Sequence, residues 1–390
     1  MNILLMPSWY PFYVQTDNYK GSPLHGVFIH DQIKLLRKNN NICVFLPTMT
    51  KFMRLDKIKL KIVKKTEFTQ VEFTFPKLVP KIHIGYYLSF NIICIIGFII
   101  IRYFVLKQKI DLIHAHIIFL SGYSAAVLKK IFSIPFIITE HTNPFKINNK
   151  TEYKLAGKTL KRADALITVS EDLLKNIESY KFKINKKYIV GSVVDTDYFE
   201  MKTENQRNSG KHIFLNVSMI HKYKGLIYLL KAVKALLEKR VNNFEVWIGG
   251  DGPEKNDLIS FVNQNNLTRY VIFLGLLQKK QVKEYFLKTD TFVFPSLNET
   301  FGLVVAEAMA CGIPTIATIN GGSETIITDE TGILIESRNE FQLADAMNKR
   351  IRNEIIFDKD KIREHIIRNW GFESTIKKYK RIWKEIGLIN

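Results

Sequence analysis

Ten residues in the second half of the chain, Asn298-Glu299-Thr300-Phe301-Gly302-Leu303-Val304-Val305-Ala306-Glu307, hold two carboxylates eight positions apart with a Gly-Leu pair between them. The spacing predicts Glu299 in a loop that leaves a strand and Glu307 just over one turn into the following helix. A helix N-terminus there would favour negative charge on a ligand. Such a place suits a sugar joined to a phosphate. A hydrolytic acid–base pair would have to face one shared bond, and nothing in the spacing requires that of these two. The plainer alternative leaves Glu299 on the surface and lets Glu307 cap a backbone group.

Other segments have the residue types to complete such a site. Lys224-Gly225 stands where a second loop enters a helix, and a lysine there can neutralise phosphate. His221 and Lys222 are close enough to add charge. Gly249-Gly250-Asp251-Gly252-Pro253 follows a strand and opens a helix, so its glycines permit a tight turn with backbone N–H groups facing a ligand. It lacks the spacing of the dinucleotide fingerprint. Gly21-Ser22-Pro23-Leu24-His25-Gly26 joins the first strand to the first helix, and a side chain at Gly26 would crowd a phosphate. His116 lies just past the end of a strand, where it can donate to a hydroxyl or carry a proton; His114 is expected in packing. Glu140-His141 occupies the equivalent edge of the next strand. Gly321-Gly322-Ser323 makes a further turn at a strand end. For each, an ordinary loop or a solvated side chain is the competing reading.

Apolar strand-like and helical runs alternate along the chain, and short β-branched strands imply parallel sheets covered on both faces. The expectation is an α/β protein. In the first half, strands fall near Ile3–Met6, Ile42–Leu46, Ile110–His114, Phe136–Thr139 and Ala165–Val169. The helices between them fall near Val27–Arg37, Tyr86–Val105, Gly122–Lys130, Tyr153–Arg162 and Glu171–Ser179, with Ser170 as an N-cap. Residues 51–75 alternate basic and apolar and suggest a hairpin or an extra edge. A second unit starts near residue 210, with strands near His212–Val217, Glu245–Gly249, Val271–Phe273, Thr291–Phe294, Thr315–Ala317 and Gly332–Ile335. The polar stretch Met201–Gly210 reads as the linker. The expected domains are 1–200 and 201–375, with 376–390 a basic helix packing back on the first. Ligands of such sheets bind beyond the carboxyl ends of the strands.

The chain has 390 residues, 46% hydrophobic and 24% charged, with a formal net charge of +20. That length suits two domains and the composition suits a folded protein. Residues 1–200 carry 29 Lys+Arg against 15 Asp+Glu; the remainder carries 28 against 22. The basic first half fits an anionic membrane surface or substrate. No zinc finger or RNP-like motif points to nucleic acid. Cys43, Cys94 and Cys311 match no metal or redox spacing and read as core fillers in a reducing compartment. The start, Met1-Asn2-Ile3-Leu4-Leu5-Met6-Pro7, reads as a first strand and not as a signal peptide. Residues 86–106 are almost wholly apolar and reach the length of a membrane span. Three readings stand: a buried helix, a helix that also docks into a bilayer, and a true span. Lys77, Lys81, Arg102, Lys107 and Lys109 flank the segment and suit an interfacial element.

Taken together these motifs resemble the family-4 group of retaining glycosyltransferases, whose GT-B architecture has two Rossmann-like domains with parallel sheets facing across a cleft. The resemblance covers nearly the whole chain. Its most specific part is the Glu-x7-Glu element within Pro295–Ala310, supported by Lys224-Gly225, Gly249–Pro253, His114-Ala115-His116 and Val194-Asp195-Thr196-Asp197-Tyr198-Phe199. Ser8-Trp9-Tyr10-Pro11 with Gly26-Val27-Phe28 looks like members that build bacterial surface polysaccharides, such as capsule, exopolysaccharide or lipopolysaccharide.

The resemblance implies a role for each residue. Glu307 would hold the ribose of a UDP- or GDP-sugar, and Glu299 the hexose or the diphosphate side. Lys224 would hold the diphosphate, as would backbone groups of Phe301, Gly302 and Leu303 and the turn at Gly250. Gly26 would leave room, and His116 would meet the hexose. His141, His221 and Lys222 are auxiliary candidates, and no metal or other cofactor is expected. The reaction implied is hexosyl transfer to a hydroxyl of a lipid-linked or oligosaccharide acceptor, at the cytoplasmic face of the cell membrane. The first domain would take the acceptor and the second the donor. Two positions depart from the family pattern. Met219 stands where an arginine is usual, which suggests that His221 or Lys222 compensates, and Ser192-Val193 replaces the usual Asn-Gly at the junction. The alternatives are a GT-B epimerase or phosphorylase and an inactive sugar-nucleotide-binding subunit.

Overall fold

The computed structural model describes residues 1–7, 27–52, 58–66, 68–77, 83–142, 144–201 and 210–389. The chain divides into two compact units, Met1–Val193 with Ile376–Asn390, and Val194–Thr375.

Unit 1 is built on β1 (Asn2–Met6), β2 (Asn41–Phe52), β3 (Lys59–Lys64), β4 (Thr69–Lys77), β5 (Leu112–His116), β6 (Phe136–Glu140), β7 (Ala165–Thr168) and β8 (Lys187–Ile189). They form one sheet in the order β3-β4-β2-β1-β5-β6-β7-β8. Every neighbour pair is parallel except β3 with β4. The central strands β5, β6 and β7 are buried along their whole length, as a sheet covered on both faces requires. The helices are α1 (Val27–Leu36), α2 (His83–Ile100), α3 (Tyr123–Phe132), α4 (Lys150–Arg162) and α5 (Glu171–Glu178). Within the stretch expected to give a hairpin or an extra edge, β3 and β4 pair antiparallel and β4 joins the sheet by parallel pairing with β2, while residues 53–57 and 67 lie outside the described residues. The strand expected at Ile110–His114 lies two residues later. α4 starts earlier than expected because the Asn149 side chain accepts the Glu152 N–H at 2.9 Å. Ser170 caps α5 through the Leu173 N–H. The three cysteines are buried and unpaired, and burial pushes each thiol up to about 12.

Unit 2 is built on β9 (His212–Val217), β10 (Phe244–Gly249), β11 (Val271–Gly275), β12 (Thr291–Phe294), β13 (Thr315–Thr318) and β14 (Gly332–Ile335). Its helices are α6 (Leu226–Glu238), α7 (Lys255–Gln264), α8 (Lys279–Phe286), α9 (Leu303–Ala310), α10 (Ser323–Ile326), α11 (Glu340–Ile351), α12 (Lys359–Trp370) and α13 (Phe372–Glu385), the last crossing the boundary between units. The sheet is parallel throughout, in the order β11-β10-β9-β12-β13-β14. Phe214, Phe244, Val246, Ile248 and Val293 pack with Leu229, Leu230 and Val233 of α6 in its core.

The division at Val193/Val194 falls earlier than the polar stretch that suggested a linker. Residues 202–209 of that stretch lie outside the described residues. The junction segment is held to unit 2. Arg363 of α12 donates to the carbonyls of Thr196 (2.9 Å) and Phe199 (2.7 Å), and the Val194 N–H donates to the Trp370 carbonyl. The part of α13 that belongs to unit 1 buries Tyr379, Ile382 and Trp383, and Gln32 of α1 donates to the Tyr379 hydroxyl at 2.8 Å.

Candidate functional site

In unit 2 the strand order runs outward in both directions from the β9–β12 pair, first to β10 and β11, then to β13 and β14. That pair is the topological switch point, where the loops at the carboxyl ends part and leave a crevice. Lys224 follows β9 and Glu299 follows β12. Their side chains meet there, with Lys224 Nζ 2.5 Å from Glu299 Oε1 and both largely shielded from solvent. Ser296 Oγ donates to the same Glu299 oxygen at 2.7 Å. The ammonium also lies 5.1 Å from the Tyr223 ring and 5.5 Å from the Phe294 ring. A cation so framed keeps its place when a second anion approaches, because the aromatic faces and the carboxylate both restrain it.

The backbone around the pair is closely interlocked. Leu297 N–H donates to the Tyr223 carbonyl at 2.7 Å, joining the two loops. Gly225 caps the start of α6 at φ +64°, and a Cβ there would stand 2.1 Å from the Pro295 carbonyl oxygen. A Cβ on Gly250, at φ +141°, would stand 1.9 Å from the Ser218 carbonyl oxygen. Its N–H donates to the Gly275 carbonyl and Ile220 N–H to the Asp251 carbonyl. The Gly249–Pro253 turn therefore braces the loop that carries Lys224, and the N–H of Gly250 is spent on that bracing. Glu299 N–H donates to the Asn320 carbonyl at 2.9 Å, and Gly322 packs against the Phe301 backbone with no room for a side chain.

Gly302, at φ +92°, turns the chain into α9, and no side chain caps that helix. The first turn of α9, from Leu303, therefore points its N–H groups and its dipole towards the switch point. Phe301 is buried and contacts Trp370 edge-on at 5.8 Å. Glu307 is the fifth residue of α9 and half-buried, the only charged side chain on a helix otherwise of apolar residues.

His221 and Lys222 do not join the pair. Lys222 is drawn to Glu254 at 3.9 Å, with most of its side chain in solvent, and the exposed His221 packs on Tyr223 at 4.5 Å between ring centroids. Ser296 and Asn320 carry structural weight that the sequence reading missed. Asn320 turns its side-chain oxygen to the N–H groups of Gly322 and Ser323. The Gly321-Gly322-Ser323 turn was the only signal for it.

In unit 1 the corresponding switch point lies between β1 and β5. Residues 8–26, with Gly26, lie outside the described residues. His116 is the last residue of β5, inside the strand and not past it, and is buried together with His114. The two share a face, as i and i+2 on a strand must. Their rings stack at 4.8 Å, and His116 stacks in turn on His141 at 5.1 Å. His116 Nδ1 and His141 Nε2 are 2.9 Å apart and share one proton. His114 Nε2 bonds Thr139 Oγ1 at 2.7 Å. Burial holds His114 and His141 down at about 3 and His116 well below its ordinary value, with repulsion among the three adding to the effect for His114 and His116. All three are neutral imidazoles at neutral pH. Glu140 beside them accepts the N–H groups of Ile118, His141 and Thr142 at 2.7–2.9 Å, which pins the loops after β5 and β6. Burial raises its pKa against those bonds.

The described residues hold no group of three or more His, Cys, Asp or Glu placed to bind a metal.

Two family models match consecutive parts of the chain: glycosyltransferase family 4 over residues 72–198, and glycosyl transferases group 1 over residues 197–370. An uncharacterised glycosyltransferase of Methanocaldococcus jannaschii, MJ1178, is 32% identical over 64% of this chain and 67% of its own length. TuaC of Bacillus subtilis, a putative teichuronic acid biosynthesis glycosyltransferase, is 27% identical over 63% of this chain and 62% of its own. Among solved structures, Anabaena HepE in complex with UDP superposes with a TM-score of 0.72 over 99% of this chain and 100% of that one, at 15% identity. That likeness speaks for the fold. With the family models and the M. jannaschii relative, it shows that the chain belongs to the family-4 glycosyltransferases of GT-B fold and is a glycosyl-transferring enzyme.

Proposed function

We propose that the enzyme moves a hexosyl group from a UDP- or GDP-sugar to a hydroxyl of a lipid-linked or oligosaccharide acceptor in surface polysaccharide synthesis, with retention at the anomeric carbon. Unit 2 takes the donor and unit 1 the acceptor. The observation that carries this reading is the Lys224–Glu299 pair at the β9–β12 switch point, beside the uncapped start of α9. The UDP complex of a protein with the same fold and the polymer named for TuaC support the donor and the setting.

In the proposed reaction the bond from the anomeric carbon to the diphosphate oxygen breaks, and a bond to the acceptor oxygen forms on the same face. The acceptor's hydroxyl proton passes to the departing diphosphate oxygen, so no enzymatic nucleophile is required. Negative charge grows on the diphosphate as it leaves. The Lys224 ammonium and the first-turn N–H groups of α9 stabilise it, and preorganised charge of this kind is commonly the largest catalytic term. As phosphate takes a share of Lys224, Glu299 turns its accepting oxygens to sugar hydroxyls, and Glu307 accepts from the ribose. Neutral His116 donates to a hexose hydroxyl. These cationic and dipolar groups take the place a metal would otherwise fill. The enzyme works at the cytoplasmic face of the membrane, where lipid-linked acceptors present their sugars.

The test is a panel of UDP- and GDP-hexoses with and without a polyprenyl-diphosphate-linked oligosaccharide. Nucleoside diphosphate released only with acceptor present, and an NMR spectrum of the product with the donor's anomeric configuration, are expected. Consumption of inorganic phosphate would replace this reading with a phosphorylase, and tight donor binding without turnover would replace it with a binding subunit.

A further inference from the structure

Helix α2 is apolar on its exposed side as well as its buried one, and its two polar residues, Ser89 and Asn91, are among those buried. Ser89 is 0% and Asn91 8% exposed, while Leu88 is 52%, Ile99 37% and Phe104, in the π-turn Ile101–Val105 that continues the helix, 72%. The inner stripe, Phe90, Ile93, Cys94, Phe98 and Ile101, has helical spacing and is buried. It seats the helix firmly, because a Cβ on Gly97 would stand 2.2 Å from the Phe45 ring of β2. The segment Tyr87–Val105 is long and apolar enough to cross a membrane by length and composition, yet 44% of it is buried against this unit. Crossing would strip Phe45 and its neighbours of their cover. A helix packed on one side and apolar on the other lies on a surface.

The β3 edge continues that surface. In register, Ile62 pairs with Val71 and Leu60 with Phe73, and these pair in turn with Phe45 and Pro47. Directly paired residues project to the same face of a sheet, so Leu60 and Ile62 project on the face that α2 covers. They are 45% and 43% exposed. Lys64 alternates onto the same face, Lys59 and Lys61 project from the other side of this edge strand, Lys65 follows it, and Arg102, Lys107 and Lys109 follow the exposed end of α2. No acidic residue occurs in 58–66 or in 87–110.

We propose that the outer face of α2, with Leu60 and Ile62, docks unit 1 on an anionic phospholipid bilayer, with the apolar side chains in the acyl–headgroup boundary and the lysines on the headgroups. A second copy of the chain is the poorer occupant, because two such faces would bring like charges together at their rims. The inference supplies the membrane contact that the proposed function needs, and it rests on that reading only for its purpose.

Flotation of the full chain with phosphatidylcholine vesicles, with and without phosphatidylglycerol, tests it. Binding is expected to the anionic vesicles and to weaken as salt is added. The double variants Ile99→Glu/Phe104→Glu and Leu60→Glu/Ile62→Glu change exposed side chains. Each is expected to weaken binding about tenfold or more with an unchanged melting temperature. Lys64→Glu/Lys107→Glu offers a check independent of apolar packing and should also release the protein. Absence of flotation, flotation unaffected by all three changes, or a dimer in light scattering that the glutamates dissociate would each overturn the proposal. Turnover on a water-soluble acceptor is measured alongside. Its failure counts against the transferase assignment of substrates and leaves the vesicle result standing.

Discussion

The two units place different chemistry at the carboxyl ends of their parallel strands. At the switch point of unit 2, a lysine and a glutamate form an ion pair, largely shielded from solvent and framed by aromatic rings. At the edge of β5 and β6 in unit 1, burial has removed charge from three stacked histidines. A charged pair can exchange partners with an incoming anion. A neutral imidazole can only donate or accept a hydrogen bond, which matches sugar hydroxyls and not phosphate. The proposed division of labour between diphosphate and hydroxyl recognition thus rests on burial as much as on residue type.

The sharpest way to break this contrast is to remove the cation. Lys224→Ala leaves Glu299 without its ammonium and the diphosphate without its nearest charge. Loss of one preorganised charge contact of this kind costs about 10²–10³ in kcat, so steady-state transfer should fall by that order. Lys224→Arg, which retains the charge, should recover part of it. Calorimetry with the nucleoside diphosphate alone should show weakened binding in Lys224→Ala. If transfer persists within about threefold of wild type in that variant, unit 2 does not handle the charge in the way argued.

Each partner of that pair was legible in the sequence, because a lysine before a glycine and a glutamate before Phe-Gly both sit where strands give way to helices. Their contact was not legible. It depends on β9 and β12 being neighbours, and strand order in a parallel sheet leaves no mark in local periodicity. The same limit applies to α2. Its composition announced an apolar helix, but only packing revealed that Ser89 and Asn91 face inward. His116 was placed one step too far along because the strand was read two residues early. A return of the C-terminal helix to unit 1 was expected, but that it brings Tyr379 beside His114 depends on packing that local pattern does not record.

The histidine side of the contrast is sharpened by pH. In the unfolded chain a histidine titrates near 6.5. In the folded protein His114 is held at about 3 by burial. Between those values the unfolded chain binds more protons, so acid favours unfolding. The stabilisation is complete above about pH 6.5 and drains away as pH falls towards 3. Each such group contributes a slope of about 1.4 kcal/mol per pH unit. Melting temperature should therefore drop from pH 6.5 to 4.5, and His114→Gln should flatten that drop. Glu140, raised by burial, works with the opposite sign above its ordinary value, and His114→Gln leaves it in place, so the difference between the two curves isolates the histidine. A kinetic pKa between about 5.5 and 7.5 that vanishes in His116→Asn would contradict a neutral cluster.

The smallest effect is expected at Tyr379. Burial pushes its phenol up to about 12, so it keeps its proton. The Gln32 amide donates into the phenol oxygen, and the phenol also bonds Thr139. One consistent polarity turns its own proton to Thr139 Oγ1. The Thr139 proton is left to point at His114 Nε2, 2.7 Å away. A chain of this polarity holds His114 with its proton on Nδ1. Tyr379→Phe deprives the Gln32 amide of its acceptor and frees Thr139 to turn, at a cost of about 1–2 kcal/mol, the usual range for one buried hydrogen bond lost. Nitrogen-15 shifts of the His114 ring should move from a single tautomer towards a mixture. Donor binding should stay within error of wild type, because Lys224 and Glu299 belong to the other unit. An unchanged His114 tautomer would show that Thr139 is oriented by something other than the C-terminal helix, and a loss of donor affinity would show that the two chemistries are less separate than their burial suggests.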